Sequence, residues 1–279
     1  NDELMKHWFA QGPLIDKRGF LDIRSIKVFY DGSLGSRTAL MEEPYSDQIG
    51  KSLATERIST KKILQLGRKA ADKGFQMAVH AIGDKGNNQV LKLYEEILDT
   101  NGIFDHRWRI EHAQVLFPNF YSRAAELKVL ASMQSSHAVG DSKWAEDRIG
   151  SERIQDAYAW QNILKSGVRL LLNSDLPGEP WKPMETLYFA INRKPLDSTK
   201  ESKGWYMNQA LTVEEALKAM TIENAYGAFQ EKKLGSIEVN KLADFIIIDQ
   251  NPLTVVSEDI KNIKVLETWV SGIKVNSIN

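Results

Sequence analysis

The stretch Phe75–Leu98, FQMAVHAIGDKGNNQVLKLYEEIL, contains a predicted β-strand followed directly by a predicted α-helix. Residues 75–80 are predicted to form a strand that ends in His80. Asp84 is expected to cap the helix, in which apolar side chains recur at positions 90, 91, 94, 97 and 98. This strand–helix pair is typical of one β-α unit of a parallel sheet.

The same alternation continues in both directions along the chain. Strands are predicted at residues 25–30, 107–112, 129–134 and 168–173, and helices at about 59–74, 118–127, 152–165 and from 212 onwards. Repeated units of this kind predict an α/β protein with a parallel sheet, either doubly wound or closed into a (β/α)8 barrel. The Gly-x-Gly-x-x-Gly fingerprint that follows the first strand of dinucleotide-binding sheets is absent from the sequence.

The C-terminal tail has a different pattern. Residues 234–239, 243–249 and 265–272 are predicted to form short strands joined by turns, with no helices between them. We therefore expect a partial barrel domain over residues 1–232 and strands of a small β domain over residues 233–279.

Composition excludes several classes of protein. The 36 Lys and Arg residues and 37 Asp and Glu residues give a net charge of -1, which argues against a nucleic-acid or polybasic membrane surface. No apolar run approaches the roughly 20 residues that span a bilayer. The chain has no cysteine, which excludes disulfides and thiolate metal sites. We expect a cytoplasmic protein with a small-molecule substrate and neither a nucleic-acid nor a membrane partner.

Metal-ligand residue types follow three predicted strands. His80 and His112 each end a strand, and Asp175 comes just after another. Because the carboxyl ends of parallel barrel strands meet at one mouth, we expect these side chains to lie together. Two imidazoles and a carboxylate suit a divalent metal ion. Lys27, on an earlier strand, alternates with apolar neighbours and is expected to point into the interior of the sheet, away from solvent.

Each of these residues also has a structural interpretation. A single histidine at a strand end is more often a hydrogen-bonded structural residue than a ligand. Asp175 could cap the turn that follows it, and Lys27 could pair with a nearby carboxylate. His7 and His106 lie in polar, loop-like surroundings and are expected to be exposed.

Several short motifs occur in one order along nearly the whole chain. They include Val79-His-Ala-Ile-Gly-Asp84, Arg109-Ile-Glu-His-Ala113 and Asn173-Ser-Asp175, together with residues 27–39, 133–138, 210–217, 221–225 and 235–249. In these motifs the chain resembles the amidohydrolase superfamily, and closely its YtcJ-like, amidohydrolase family 3 branch.

The resemblance implies a metal-dependent hydrolase on a (β/α)8 barrel with a small β-sandwich. Its members act on carbon–nitrogen bonds of non-peptide amides, including N-substituted formamides, with a metal-activated water. Lys27 would be the bridging, often carboxylated, lysine, and His80 and His112 would be metal ligands. Asp175 would bind the metal and act as general base, and His137 would serve the substrate or the transition state. Zinc is the metal most expected.

The chain departs from the family in one respect. The family carries a His-x-His pair on its first barrel strand, and none of the five histidines here forms such a pair. We therefore expect an incomplete barrel, completed either by the missing N-terminal portion of a longer protein or by a homo-oligomer. Two alternatives stay open, namely an inactive or binding remnant of such a hydrolase and an enzyme that uses Lys27 as a Schiff-base nucleophile.

Overall fold

The computed structural model describes residues 2–48, 50, 54–102 and 104–277. The chain divides into two compact units, one made of Asn1–Ser132 and Trp144–Val168 and the other of Met133–Lys143 and Arg169–Asn279. The domain boundary expected near residue 232 stays a prediction.

Helices and strands alternate along most of the described chain. The α-helices are α1 (Asp2–Gln11), α2 (Thr60–Lys73), α3 (Asp84–Asn101), α4 (Phe120–Glu126), α5 (Ser135–Asp141), α6 (Ala145–Arg153), α7 (Trp160–Lys165), α8 (Pro183–Asn192), α9 (Val213–Met220) and α10 (Ile222–Gly227). The strands are β1 (Leu14–Ile15), β2 (Asp22–Ile23), β3 (Ser25–Phe29), β4 (Gln76–Ala81), β5 (Arg109–His112), β6 (Leu130–Gln134), β7 (Leu170–Asn173), β8 (Phe245–Ile248), β9 (Val265–Val270) and β10 (Ile273–Ser277). Short 3-10 helices cover Ile154–Asp156, Met207–Gln209 and Ser257–Asn262.

The central element is a parallel sheet with the strand order β3-β4-β5-β6-β7. Its register places Lys27 beside Ala78 and His80 beside Glu111. The predicted α/β fold with a parallel sheet is therefore confirmed. The described residues supply five strands to this sheet and do not form a closed barrel of eight.

Local sequence signals explain where helix α2 begins and ends. The Ser59 side chain accepts a hydrogen bond from the backbone N–H of Lys62, and Gly74 adopts a left-handed conformation, φ 75°, just past the last turn. The next strand, β4, confirms the strand predicted at residues 75–80 and is buried at all six positions.

The long helix predicted over residues 152–165 is wrong. The segment is broken into the end of α6, a 3-10 turn and α7. Between the last two, Ala157 forms an antiparallel bridge with Val115, and the Tyr158 N–H donates to the carbonyl oxygen of Gln114. These contacts use the backbone groups that a continuous helix would have paired internally.

The second unit contains a three-stranded antiparallel sheet in the order β10-β9-β8. Strands β8 and β9 match the tail strands predicted at residues 243–249 and 265–272. The strand predicted at residues 234–239 is wrong, because that stretch folds into turns that leave Ile237 86% and Val239 90% exposed. The expected absence of helices in the tail is also wrong, since a 3-10 helix lies between β8 and β9 and buries Ile260.

Helix α9 begins as predicted. Thr212 accepts a hydrogen bond from the Glu215 N–H, and the Glu215 carboxylate accepts one from the Thr212 N–H, which together form a capping box. None of the described helices combines the length and the apolar character needed to cross a membrane.

Candidate functional site

Two of the predicted ligands lie together in the first unit. His80 and His112 are both buried, and their ring centroids are 4.5 Å apart. Strand alternation alone would turn His112 to the same face as Ile110, but His112 has a left-handed backbone with φ 77°. This conformation at the end of β5 redirects the imidazole toward His80. The Nε2 atom of His80 lies 3.1 Å from the carbonyl oxygen of Gly32.

Asp31 supports this histidine pair and was missed as a functional residue. Its fully buried carboxylate accepts hydrogen bonds from the backbone N–H groups of Leu40, Ile82 and Gly83 at 2.9–3.0 Å. One carboxylate oxygen is 3.5 Å from Nε2 of His80. Burial raises the pKa of Asp31 to about 6, although the three backbone donors act in the opposite direction. In the sequence, Asp31 is only the first residue of a glycine- and serine-rich loop at residues 31–37.

Lys27 lies on the predicted face of the sheet, but it is exposed. The register of β3 and β4 places Lys27 and Phe29 on the same face as His80. The Lys27 ammonium group lies 5.0 Å from the centroid of the Phe29 ring, and that ring lies 5.0 Å from the His80 ring. The expectation that Lys27 is shielded from solvent is wrong for the described chain, because this face of β3 is uncovered and leaves Phe29 54% exposed.

His106, expected to be exposed, is instead buried at 2% exposure. Its Nε2 atom lies 2.8 Å from the carbonyl oxygen of Leu127, and its Nδ1 atom accepts a hydrogen bond from the Trp108 N–H. Burial lowers the pKa of His106. The residue therefore has a structural role between two backbone segments.

The second unit brings together His137 and Asp175. Nε2 of His137 lies 3.8 Å from a carboxylate oxygen of Asp175. A hydrogen bond of 3.0 Å from Gln134 to Asn173 joins the ends of β6 and β7, from which the two residues project. The Asn173 side chain also accepts a hydrogen bond from the backbone N–H of Asp175, whose φ is 56°. The Asp175 side chain stays 46% exposed and thus accessible to water.

Glu179 is a second carboxylate at His137. Its Oε1 atom lies 3.7 Å from Nε2 of His137, and its side chain is 32% exposed. No motif or spacing in the sequence singled out Glu179. The predicted joint site draws Lys27, His80 and His112 from one unit and Asp175 from the other, and it stays a prediction.

Comparison with known proteins defines the family. The model of the Amidohydrolase family, Amidohydro_3, matches residues 3–275, and the chain therefore belongs to this family. "Protein LONG AFTER FAR-RED 3" of Arabidopsis thaliana is 36% identical over 91% of this chain and 43% of that protein. "Putative amidohydrolase YtcJ" of Bacillus subtilis is 32% identical over 91% of this chain and 47% of that protein, which confirms the resemblance to the YtcJ-like branch.

A solved structure is also similar. An uncharacterized metal-dependent hydrolase from Pyrococcus horikoshii OT3 superposes with a TM-score of 0.79 at 31% sequence identity, over 91% of this chain and 50% of that chain. The chain thus spans about half the length of this structure and less than half of the two curated relatives.

Proposed function

We propose that this chain carries part of the active site of a metal-dependent hydrolase that cleaves carbon–nitrogen bonds of non-peptide amides, including N-substituted formamides. The observation that carries the proposal is the pair of buried imidazoles of His80 and His112, with ring centroids 4.5 Å apart at the carboxyl ends of adjacent parallel strands. Family membership and the similarity to a metal-dependent hydrolase structure support it.

The proposed metal ligands are the side chains of Lys27, His80, His112 and Asp175. Their donor atoms are imidazole nitrogens and carboxylate oxygens, with a carboxylated lysine as a further oxygen donor, and this chemistry suits zinc. A divalent metal held there would acidify a water molecule and polarise the substrate carbonyl group.

Asp175 is the proposed general base. It takes a proton from the attacking water as the new carbon–oxygen bond forms, and it returns that proton to the nitrogen as the carbon–nitrogen bond breaks. The exposure of its carboxylate supports this role, because the base must reach both water and substrate. His137 is proposed to stabilise the negative charge that develops on the carbonyl oxygen.

We also propose that the five parallel strands belong to a (β/α)8 barrel that other polypeptide completes. The antiparallel sheet of β8, β9 and β10 would then be part of a small β-sandwich. The difference in length between this chain and its relatives supports both proposals.

Metal analysis of the purified chain, combined with an amide-hydrolysis assay, tests the proposed function. Stoichiometric zinc after loading, with release of formate and amine from N-substituted formamides, would support the proposed function. The absence of both metal binding and turnover would favour an inactive remnant. Trapping of a carbonyl compound on Lys27 by borohydride would instead favour the Schiff-base enzyme.

A further inference from the structure

We infer that Glu179 is a positioning residue for His137 and that it leaves the carboxylate of Asp175 available for catalysis. The inference rests on the proposed function, because it assigns Glu179 to the same active site. It concerns only residues of the second unit.

The loop between β7 and α8 places two carboxylates beside one nitrogen atom. Asp175 and Glu179 lie 3.8 and 3.7 Å from Nε2 of His137. The Gly178 N–H donates to the Asp175 carbonyl oxygen at 2.9 Å, which closes a turn. Glu179 directly follows this turn. The turn therefore brings Asp175 and Glu179, which are four residues apart in the sequence, to the same imidazole ring.

A single ring nitrogen cannot serve both carboxylates. Nε2 carries at most one hydrogen, and it can therefore donate to Asp175 or to Glu179. Both separations exceed the roughly 3 Å of a hydrogen bond, as is common for catalytic pairs before substrate binds. If Asp175 accepted this hydrogen, its carboxylate would be less available as a ligand and base.

Glu179 is the better placed of the two to hold the imidazole. It is the less exposed carboxylate, at 32% against 46% for Asp175. Lys182, three residues further along the chain, pairs with Glu185 at 3.3 Å. In the imidazolium form both ring nitrogens carry a hydrogen, so Nε2–H donates to Glu179 and orients the ring while Nδ1–H donates to the substrate oxygen.

Substitution of Glu179 by Ala tests this role in the zinc-loaded chain. Loss of a residue that orients a catalytic or ligating histidine typically costs about 10–100-fold in activity, and we expect this loss in kcat with KM within about twofold. Glu179→Gln retains an oxygen that accepts the Nε2 hydrogen and should restore most of the activity. Glu185→Ala is the matched control, because it removes a nearby carboxylate that binds Lys182 instead of His137, and its kcat should equal that of the wild type.

A second measurement is independent of turnover. In the metal-free chain, the ring nitrogen signals of His137 are assigned by NMR with His137→Gln as the reference. We expect Glu179→Ala to shift these signals and Glu185→Ala to leave them unchanged. Unchanged signals in Glu179→Ala, or a kcat within twofold of the wild type, would overturn the inference. Loss of zinc from Glu179→Ala would also overturn it, since Glu179 would then be a ligand.

The two measurements separate the inference from the proposed function. A wild-type chain that binds zinc but hydrolyses no amide would contradict the proposed function. The NMR comparison would still decide whether Glu179 positions His137.

Discussion

Carboxylates near the candidate histidines differ sharply in their environments. Asp31 is fully buried, and its oxygens are occupied by three backbone N–H groups. Asp175 is nearly half exposed, and its carboxylate lies 3.8 Å from Nε2 of His137. Because a general base must exchange protons with water and substrate, the surroundings of Asp175 suit catalysis, and those of Asp31 suit a structural role.

Substitution of Asp175 by Asn should separate metal binding from turnover. The amide oxygen still offers a ligand, but it does not accept a proton. Loss of a general base typically lowers the rate about 10²–10⁴-fold, and we expect that decrease in kcat with most of the zinc retained. His80→Ala and His112→Ala should instead lower the zinc content measured by elemental analysis. Equal turnover of Asp175→Asn and the wild type would exclude Asp175 as the base.

His106 should make the fold sensitive to acid. With Nε2 at the Leu127 carbonyl oxygen and Nδ1 accepting from the Trp108 N–H, the folded ring is neutral, and burial lowers its pKa below the ordinary value of 6.5. Protonation therefore favours the unfolded state, and the free energy of unfolding should fall as the pH drops below about 6.5.

The comparison of the wild type with His106→Gln isolates this contribution. Asp31 acts in the opposite direction, because its pKa is raised from 3.8 to about 6, and the stability it adds at low pH is lost as the pH rises through that value. Urea denaturation at pH 7.5 and 5.5 should show a steeper loss of stability on acidification in the wild type than in the variant. Identical pH dependence in the two proteins would contradict the role of His106.

At the scale of elements, the strands of the parallel sheet could be predicted because short segments with apolar side chains alternate with predicted helices and turn signals. The positions of His80 and His112 at strand ends were predicted for the same reason. What the sequence could not reveal depends on tertiary contacts. The break between α6 and α7 exists because Ala157 pairs with Val115, more than 40 positions earlier in the chain. The turn after Asp175 was expected from the sequence, but the approach of Glu179 to His137 depends on the packing of two separate chain segments.

The connection between β4 and α3 depends on Gly83. A Cβ atom at this position would lie 1.9 Å from the carbonyl oxygen of Leu40, and the Gly83 N–H donates to Asp31. Overpacking against backbone typically costs about 1–3 kcal/mol, and we expect Gly83→Ala to lower the free energy of unfolding by at least this amount.

Gly140→Ala is the control for this substitution. A Cβ atom at Gly140, in helix α5, would meet nothing within 4 Å. Alanine favours a helix over glycine by up to about 1 kcal/mol, so this variant should be as stable as the wild type or slightly more stable. Urea midpoints of the two variants measure the difference, and equal midpoints would show that the Leu40 contact does not constrain the loop.

At the scale of the whole molecule, large apolar side chains remain uncovered in both units. Phe20 and Phe29 are 76% and 54% exposed in the first unit, and Ile237 and Val239 are 86% and 90% exposed in the second. Exposed apolar surface and unpaired strand edges favour association with further polypeptide. The exposed apolar side chains of both units are therefore a physical reason to expect a homo-oligomer or an additional segment, which stays a prediction.

Metal binding should also stabilise the molecule as a whole. A ligand that binds only the folded state adds about 2.7 kcal/mol at a free concentration of 100 times its Kd. We therefore expect zinc to raise the thermal unfolding midpoint of the wild type and a chelator to reverse this rise. His112→Ala and Asp175→Ala should lose most of the shift, because each removes a proposed ligand.

His7→Ala is the matched control, since His7 is exposed on helix α1 and is not among the proposed ligands, and it should keep the full shift. Equal shifts in all four proteins would mean that zinc binds elsewhere, and the proposed ligand set would be wrong.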